Sequence, residues 1–161
     1  MCLNLNAASK IEVRATDTVV YKRLKYSYME GMFLAPYRET PYKRGEIKRE
    51  RVFSEMNGGT FKTKLPASVY GNGINQGLHT YREIRDAGYG EIIVECVIPA
   101  GTPLIVGTYD VVSLALVIGE AVIGETKLVD DFNSNIATTA TPPQSRKHRL
   151  FDWLANWLES R

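Results

Sequence analysis

The most constraining feature of this sequence is a run of alternating side chains that ends at Pro99. In an extended chain, one face would carry four apolar residues and the other a mixture: Ile92, Val94, Cys96 and Ile98 against Glu91, Ile93, Glu95 and Val97. This alternation is typical of a strand that is buried on one side. Pro99 and Gly101 suit the second and fourth positions of a type I turn. The pattern therefore predicts a β-strand that ends in a turn at Pro99.

A short helix is predicted directly before this strand. Thr80 and Glu83 have the spacing of a capping box, in which each side chain bonds the backbone amide of the other residue. Gly88 suits the left-handed position that ends a helix. A helix of about two turns is marginal in water. We therefore expect it to pack on the sheet that contains the strand.

Several other segments are rich in strand-forming residues, and their spacing sets the fold class. These segments are 19–24, 51–55, 60–65, 103–106 and 111–118. The Asn57-Gly58 pair between the second and third segments is a hairpin signal, and the continuous apolar run of the last segment predicts a strand covered on both faces. The sequence predicts one α+β domain over residues 1–130, mostly antiparallel β with short helices.

The composition changes after Asp130. Residues 131–147 are rich in Asn, Ser, Thr and Pro and predict an extended linker. Residues 148–161 then carry large apolar side chains at helical spacing: Leu150, Trp153, Leu154, Trp157 and Leu158. So short an amphipathic helix is stable only where this face is covered. It is predicted to be a partner-binding surface that packs on its own domain, on another copy in a homo-oligomer, or on a different protein.

Composition limits the functions that the chain can have. Its 161 residues fit one domain, and a net charge of +2 gives no overall field for nucleic acid. Two cysteines make no disulfide framework, and no His or Cys pair has metal-ligand spacing, so no metal is predicted. The start lacks a signal peptide, and the longest apolar run, Val111 to Gly119, is too short to span a bilayer. We expect a cytoplasmic protein that is neither secreted nor membrane-bound.

The charge is unevenly distributed along the chain. Nine basic and four acidic residues lie between Tyr21 and Val52, whereas three basic and nine acidic residues lie between Arg82 and Asp131. Opposite charges attract, so the two segments either face each other within the fold or join neighbouring copies head to tail.

Two features suggest ligand binding. A Pro-Tyr-basic pattern occurs twice at a spacing of five and offers aromatic faces beside cations: Tyr37 and Arg38, then Tyr42, Lys43 and Arg44. Such pairs hold bases and phosphates, although the same composition also occurs in solvated loops. His79 lies between a glycine turn and the predicted helix, where it either contacts a ligand or bonds the local turn. No catalytic residue and no cofactor are predicted.

Several motifs resemble a family of small proteins encoded by bacteriophages and phage-bearing bacteria. The motifs are Met-Cys-Leu at the start, Val-Tyr-Lys, Gly-Leu-His and Glu-Cys-Val-Ile-Pro-Ala-Gly-Thr. The resemblance covers about residues 1–119 and implies no reaction. It implies a viral protein that is either a virion component or a factor acting on host defence.

The order of motifs also resembles the ADP-ribosyltransferase fold. That resemblance implies a nucleotide cleft lined by Tyr21, Lys22 and His79. The usual Glu-x-Glu of that fold is absent, because Glu120 and Glu125 are five residues apart. The departure argues against transfer activity while leaving nucleotide binding open.

Two functional hypotheses follow. The first is a phage-encoded, non-enzymatic interaction protein that acts through oligomer or partner contacts of the C-terminal helix. The alternative is a binder or sponge for a nucleotide-like small molecule on a transferase-like scaffold, with weak transferase activity as a lesser variant.

Overall fold

A computed structural model of the protein describes residues 3, 5, 8–56, 58–66, 73–88 and 91–137. These residues form strands, one 3₁₀ helix and one α-helix. The strands are β1 (Ile11–Val13), β2 (Thr18–Ser27), β3 (Met32–Leu34), β4 (Pro41–Tyr42), β5 (Ile47–Arg49), β6 (Phe53–Glu55), β7 (Thr60–Phe61), β8 (Ile74–Gln76), β9 (Leu78–Tyr81), β10 (Ile92–Ile98), β11 (Pro103–Val106), β12 (Asp110–Ser113) and β13 (Ala115–Gly124). The 3₁₀ helix is Ile84–Ala87, and the α-helix α1 is Thr126–Ser134.

Most strands belong to one large sheet with the order β1-β11-β12-β9-β2-β10-β13-β5. The hairpin β3–β4 continues from β2, and a second sheet has the order β7-β6-β8. The paired strands are antiparallel throughout. The predicted α+β domain of mostly antiparallel strands is therefore confirmed.

The predicted alternating strand lies at the centre of the large sheet. Ile92, Val94 and Cys96 are fully buried, and Ile98 is nearly so. β10 pairs with β2 on one side and with β13 on the other. The two neighbours pair both edges of β10, and its apolar face belongs to the main hydrophobic core.

The predicted capping box does not form. Thr80 lies within β9, and its hydroxyl donates a hydrogen bond to the carbonyl of Val111 at 3.1 Å. Glu83 makes no capping hydrogen bond with its side chain, and the helix is a single 3₁₀ turn that begins at Ile84. Pairing of β9 with β12 satisfies several backbone groups at once, so it outweighs one local cap. Gly88 ends the turn with φ of 67° and ψ of −154°, so φ is positive but the residue does not adopt the left-handed helical conformation that was predicted.

Two other local predictions need adjustment. The segment 111–118 is buried throughout, as predicted, but it is two strands that change partners at Leu114, whose amide bonds the carbonyl of Pro103. In the turn after β10, the amide of Thr102 donates to the carbonyl of Pro99 at 3.2 Å. Pro99 is therefore the first residue of that turn, and Gly101, with φ of 79°, is the third.

The folded part of the chain extends past the predicted domain boundary at residue 130. Phe132 on α1 is buried and packs edge-on against Phe33, with 5.1 Å between ring centroids. The first residues of the predicted linker are thus helical. Residues 138–161, which include the predicted partner-binding side chains, lie outside the described residues: Leu150, Trp153, Leu154, Trp157 and Leu158. Within the described ranges, no helix is long and apolar enough to cross a membrane.

Candidate ligand-binding cleft

A cleft of about 250 Å³ opens where three parts of the chain meet. β2 forms one side, the segment from the end of β3 to the end of β5 forms a second, and β8–β9 form the third. The lining residues are Lys22, Arg23, Ala35, Pro36, Tyr37, Arg38, Thr40, Tyr42, Lys48, Arg49, Glu50, Asn75, Gly77, Leu78, His79 and Tyr81. Charged and aromatic side chains therefore dominate a cavity that is set against the apolar core.

Lys22 and Tyr42 are the most deeply buried functional side chains of the cleft. Lys22 is 8% exposed and Tyr42 is 6% exposed. The Lys22 Nζ donates a hydrogen bond to the carbonyl oxygen of His79 at 2.8 Å. It also lies 5.1 Å from the centroid of the Tyr42 ring, and the Nζ of Lys48 lies 4.8 Å from the same centroid. Two ammonium groups thus converge on one aromatic ring.

The surroundings of Lys22 disfavour its charged form. Burial lowers the pKa of Lys22 from 10.5 to about 8, and the positive charges of Arg38 and Lys48 act in the same direction. Cys96 opposes this shift. The amine at the bottom of the cleft therefore loses its proton much more readily than an ordinary lysine.

His79 brings an uncharged imidazole to the cleft. Burial lowers the pKa of His79 to about 4, and the charge of Lys22 adds to the effect. The carbonyl of Asn75 opposes the shift, but neither ring nitrogen makes a hydrogen bond of normal geometry to a described residue. A buried imidazole without a partner retains an N–H donor and a lone-pair acceptor for another molecule.

The rim is a turn that is tied to the opposite wall. Arg38 donates a hydrogen bond to the backbone carbonyl of Asn75, which fastens the turn to β8. Tyr37 is 65% exposed, and its hydroxyl lies 3.5 Å from a terminal nitrogen of Arg23. The turn is closed by a hydrogen bond from the amide of Ala35 to the carbonyl of Thr40 at 2.9 Å. These contacts place an aromatic face and a guanidinium at the entrance.

The cleft has a strong excess of positive charge. Among the described residues, its lining contains five cationic side chains: Lys22, Arg23, Arg38, Lys48 and Arg49. Glu50 is the one carboxylate among these described lining residues, and it accepts a hydrogen bond from Gln76 at 3.2 Å. Lys48 pairs with Glu46 at 2.8 Å. Even with these partners, the balance of charge favours an anion.

The Gly-Leu-His motif is explained by packing. Gly77 joins β8 to β9 with φ of 142°, a conformation that side chains other than glycine rarely adopt. A Cβ at this position would also collide with Val112. Glycine is needed for β9 to lie close to β12, and this close approach positions His79 at the cleft.

The structure brings together five of the eight residues that were predicted to bind a ligand: Lys22, Tyr37, Arg38, Tyr42 and His79. Tyr21 lies on β2 opposite Tyr81 but is not part of the lining. Lys43 is exposed beside β4, and Arg44 donates to the carbonyl of Asn133 at 2.8 Å, so Arg44 fastens α1. Whether the five assembled residues bind a ligand stays a prediction.

Sequence reasoning missed several lining residues. Arg23, Lys48 and Arg49 were visible as members of the basic segment 21–52, but their side chains were not assigned to a site. The uneven charge was the signal that pointed to them. The ion pair between Arg44 and Glu120 joins the basic and acidic segments, whereas Lys48 pairs within its own segment.

The acidic residues considered from the sequence lie elsewhere. Glu120, Glu125 and Asp110 are not in the cleft lining, and burial raises the pKa of Asp110 to about 6. Burial also raises the pKa of the Cys96 thiol to about 12, so this cysteine is a core residue and a poor nucleophile. Among the described residues, no cluster of His, Cys, Asp and Glu is suited to hold a metal ion.

Comparison with known proteins adds no relative. No family model, no curated protein and no solved structure matches this chain.

Proposed function

We propose that the cleft binds a small anionic molecule that carries a planar ring, such as a nucleotide. The observation that carries this proposal is that the described part of the cleft lining gathers five cationic side chains and one carboxylate. Lysine and arginine bind phosphate through charge-assisted hydrogen bonds, which are about twice as strong as neutral ones. A phosphate or carboxylate group near Lys22, Lys48 and Arg38 would relieve the repulsion among these cations.

The other lining groups suit a planar ring. The Tyr37 ring is exposed at the rim, and Tyr81 lies on the same strand as His79. Aromatic side chains stack on bases of any sequence. The ring nitrogens of His79, which make no hydrogen bond of normal geometry to a described residue, supply one donor and one acceptor that match the edge of a base or a phosphate oxygen.

The size of the cleft limits the ligand. Its volume of about 250 Å³ lies just below the range of about 300–1,000 Å³ that is usual for small-molecule pockets. A single nucleotide, or a smaller phosphate ester, is the largest molecule that the cleft would enclose, so a larger compound such as NAD or ADP-ribose would extend past the rim. Binding or sequestration needs only these recognition groups, so a sponge is a simpler function than a transferase.

A panel of candidate ligands tests the proposal directly. AMP, ADP-ribose, NAD, cyclic nucleotides and inorganic phosphate are screened by thermal shift, and any hit is measured by isothermal titration calorimetry. A ligand at 100 times its Kd should stabilise the protein by about 2.7 kcal/mol. If none of these compounds binds even at millimolar concentration, the proposal fails.

Lys48 and Lys25 provide a matched pair for this assay. Each forms an ion pair with a glutamate of the same segment, at 2.8 Å and 3.2 Å, but only Lys48 lines the cleft. Lys48→Gln should weaken binding of the best ligand about 10- to 100-fold, because one charge-assisted contact contributes about 1.5–3 kcal/mol. Lys25→Gln should change the affinity less than about twofold. Equal effects of the two substitutions would show that binding occurs outside the cleft.

The interaction hypothesis remains a second proposal. It rests on the C-terminal segment 148–161, whose predicted amphipathic helix and apolar face lie outside the described residues. A phage-encoded protein that assembles with itself or with a host partner through this face is compatible with a ligand cleft on the domain. Solution mass measured with and without residues 150–161 tests it.

A further inference from the structure

Lys22 occupies a position that the strand pattern assigns to an apolar residue. It lies on the buried row of β2 between Val20 and Leu24 and opposite Val94 of β10. A buried ammonium is costly unless it is paired. Within the part of the chain that the structure describes, Lys22 makes no ion pair, and its hydrogen bond goes to a neutral backbone carbonyl, that of His79. Nothing here requires the lysine to stay charged.

The buried amine nevertheless faces the cleft. Lys22 is one of the lining residues, and the Tyr42 ring confines its Nζ from one side at 5.1 Å. Arg38 and Lys48 surround the same space and would draw an anion towards the amine. Neighbouring cations repel a charged lysine, and a cavity offers it few packing contacts, so packing alone does not explain a lysine at this position.

His79 completes the arrangement. Its backbone carbonyl positions the amine, and its imidazole lines the same cleft with both nitrogens unpartnered among the described residues. A neutral imidazole accepts a proton at one nitrogen and donates one from the other. Because burial keeps this imidazole neutral, it is suited to donate a hydrogen bond to a carbonyl oxygen that reacts at the amine.

We propose that Lys22 forms a Schiff base with an aldehyde or ketone carried by a small anionic molecule in this cleft. The nitrogen lone pair attacks the carbonyl carbon, and the carbonyl oxygen takes up a proton to give a carbinolamine. Loss of water then forms the C=N bond, which the nitrogen holds in protonated form. The amine supplies the electrons, so no oxidant or reductant is needed. The proton that the amine nitrogen loses reaches the oxygen through solvent, while the neutral imidazole of His79 can donate a hydrogen bond to that oxygen.

The chemistry of buried lysines supports this step. Nucleophilic lysines are activated by desolvation and by neighbouring cations, and both are present at Lys22. The lowered pKa of Lys22, about 8, agrees with the geometry. The proposal rests on the proposed function in one respect only, namely that the carbonyl compound is anionic.

Reductive trapping with pyridoxal 5′-phosphate tests the inference on the full-length protein. This probe joins an aldehyde, a planar ring and a phosphate, and borohydride fixes any Schiff base as a stable secondary amine. Peptide mapping by mass spectrometry then measures the modification at each lysine. At pH 8, Lys22 should be modified at least about tenfold more than Lys25 or Lys43, because an ordinary lysine with a pKa of about 10.4 is almost fully protonated there.

Two further arms separate this inference from the proposed function. Excess AMP or inorganic phosphate should reduce the modification of Lys22 and leave that of Lys25 and Lys43 unchanged. Propanal, a neutral aldehyde, should also modify Lys22 selectively, although at higher concentration. If propanal modifies Lys22 selectively but no nucleotide binds, the Schiff-base inference is supported and the proposal of a nucleotide-like ligand fails.

The contrary results are equally distinct. If Lys22 is modified no more than Lys25 and Lys43 by either aldehyde, the Schiff-base inference is overturned, and a nucleotide that still binds by calorimetry would leave the cleft as a binding site. Lys22→Arg keeps the charge but forms no Schiff base, so it should remove only the selective product. Because the mapping uses the native sequence, a variant that fails to fold does not prevent the test.

Discussion

The two copies of the Pro-Tyr-basic pattern have opposite orientations in the folded protein. In the first copy, Tyr37 is 65% exposed and Arg38 points across the cleft to the carbonyl of Asn75. In the second copy, Tyr42 is 6% exposed, and Lys43 faces away from the cleft. The aromatic residue is therefore outermost in one copy and innermost in the other.

Strand pairing explains the difference. Tyr42 belongs to β4, where it pairs with Phe33 of β3, and the alternation of a strand turns it inward and Lys43 outward. Residues 36–38 form a turn that is closed by a hydrogen bond from the amide of Glu39 to the carbonyl of Ala35 at 3.1 Å. A turn does not alternate, so Arg38 remains on the cleft side. The two copies of the pattern thus carry the same types of residue, but backbone pairing decides which of their side chains reach the cleft.

The largest expected effect is on stability. Tyr42→Ala should lower the free energy of unfolding by about 3–5 kcal/mol, because it removes a buried aromatic ring and its contacts with two ammonium groups. Tyr37→Ala should change the same quantity by less than about 0.5 kcal/mol, since most of its ring is in solvent. Urea denaturation of the two variants measures the difference. Equal losses would show that the two copies are equally packed and would break the comparison.

The next effect concerns the lysine beside Tyr42. The pKa of Lys22 is about 8 in the folded protein and 10.5 ordinarily, so between these values the unfolded chain binds more protons than the folded one. Stability should therefore rise with pH across this window, by about 3 kcal/mol in total if the whole shift acts on folding. Below pH 8 the destabilisation by the buried ammonium is fully present.

Lys22→Met isolates this contribution. The variant should be about 1–3 kcal/mol more stable than the native protein at pH 7, because it exchanges a buried charge for an apolar side chain of similar length. Its advantage should shrink as the pH rises from 8 to 10. Unfolding free energies of both proteins at several pH values check this expectation. If the difference between them does not depend on pH, the stabilisation comes from packing and not from the removal of a charge. Tyrosine ionisation lowers stability above pH 10, which sets the upper limit of the measurement.

Local patterns in the sequence were sufficient to predict β2, β10, β11 and the segment of β12 and β13, whereas β1, β3, β4, β5 and β9 of the large sheet were not predicted. The alternation of β10 describes one strand and one buried face, and the structure has both. The predicted helix at Thr80 failed for the same physical reason that the strands succeeded. A strand that can pair along its length, as β9 does with β12, gains more than an isolated cap provides.

The candidate site was less accessible to such reasoning, because its residues are far apart in the chain. Lys22 and His79 meet only through the antiparallel contact of β2 and β9, which no local pattern specifies. Lys22 is also hard to predict as a buried residue, because it is an ionisable side chain between the buried apolar residues Val20 and Leu24. The basic excess of segment 21–52 was measurable from the sequence, but strand order decides that five of its cations share one cleft.

The smallest expected effect is on affinity, and it compares the basic residues of the two copies. Arg38→Gln should weaken binding of a nucleotide-like ligand about tenfold, or about 1.4 kcal/mol, because one charge-assisted contact is lost. Lys43→Gln removes the same charge five residues later, outside the lining, and should change the affinity less than about twofold. Calorimetry at two salt concentrations distinguishes contact from general attraction: loss of a direct phosphate contact persists at high salt, whereas a diffuse field is screened. If Lys43→Gln weakened binding as much as Arg38→Gln, the ligand would be responding to the net charge of the loop. The orientation imposed by β4 would then have no bearing on recognition.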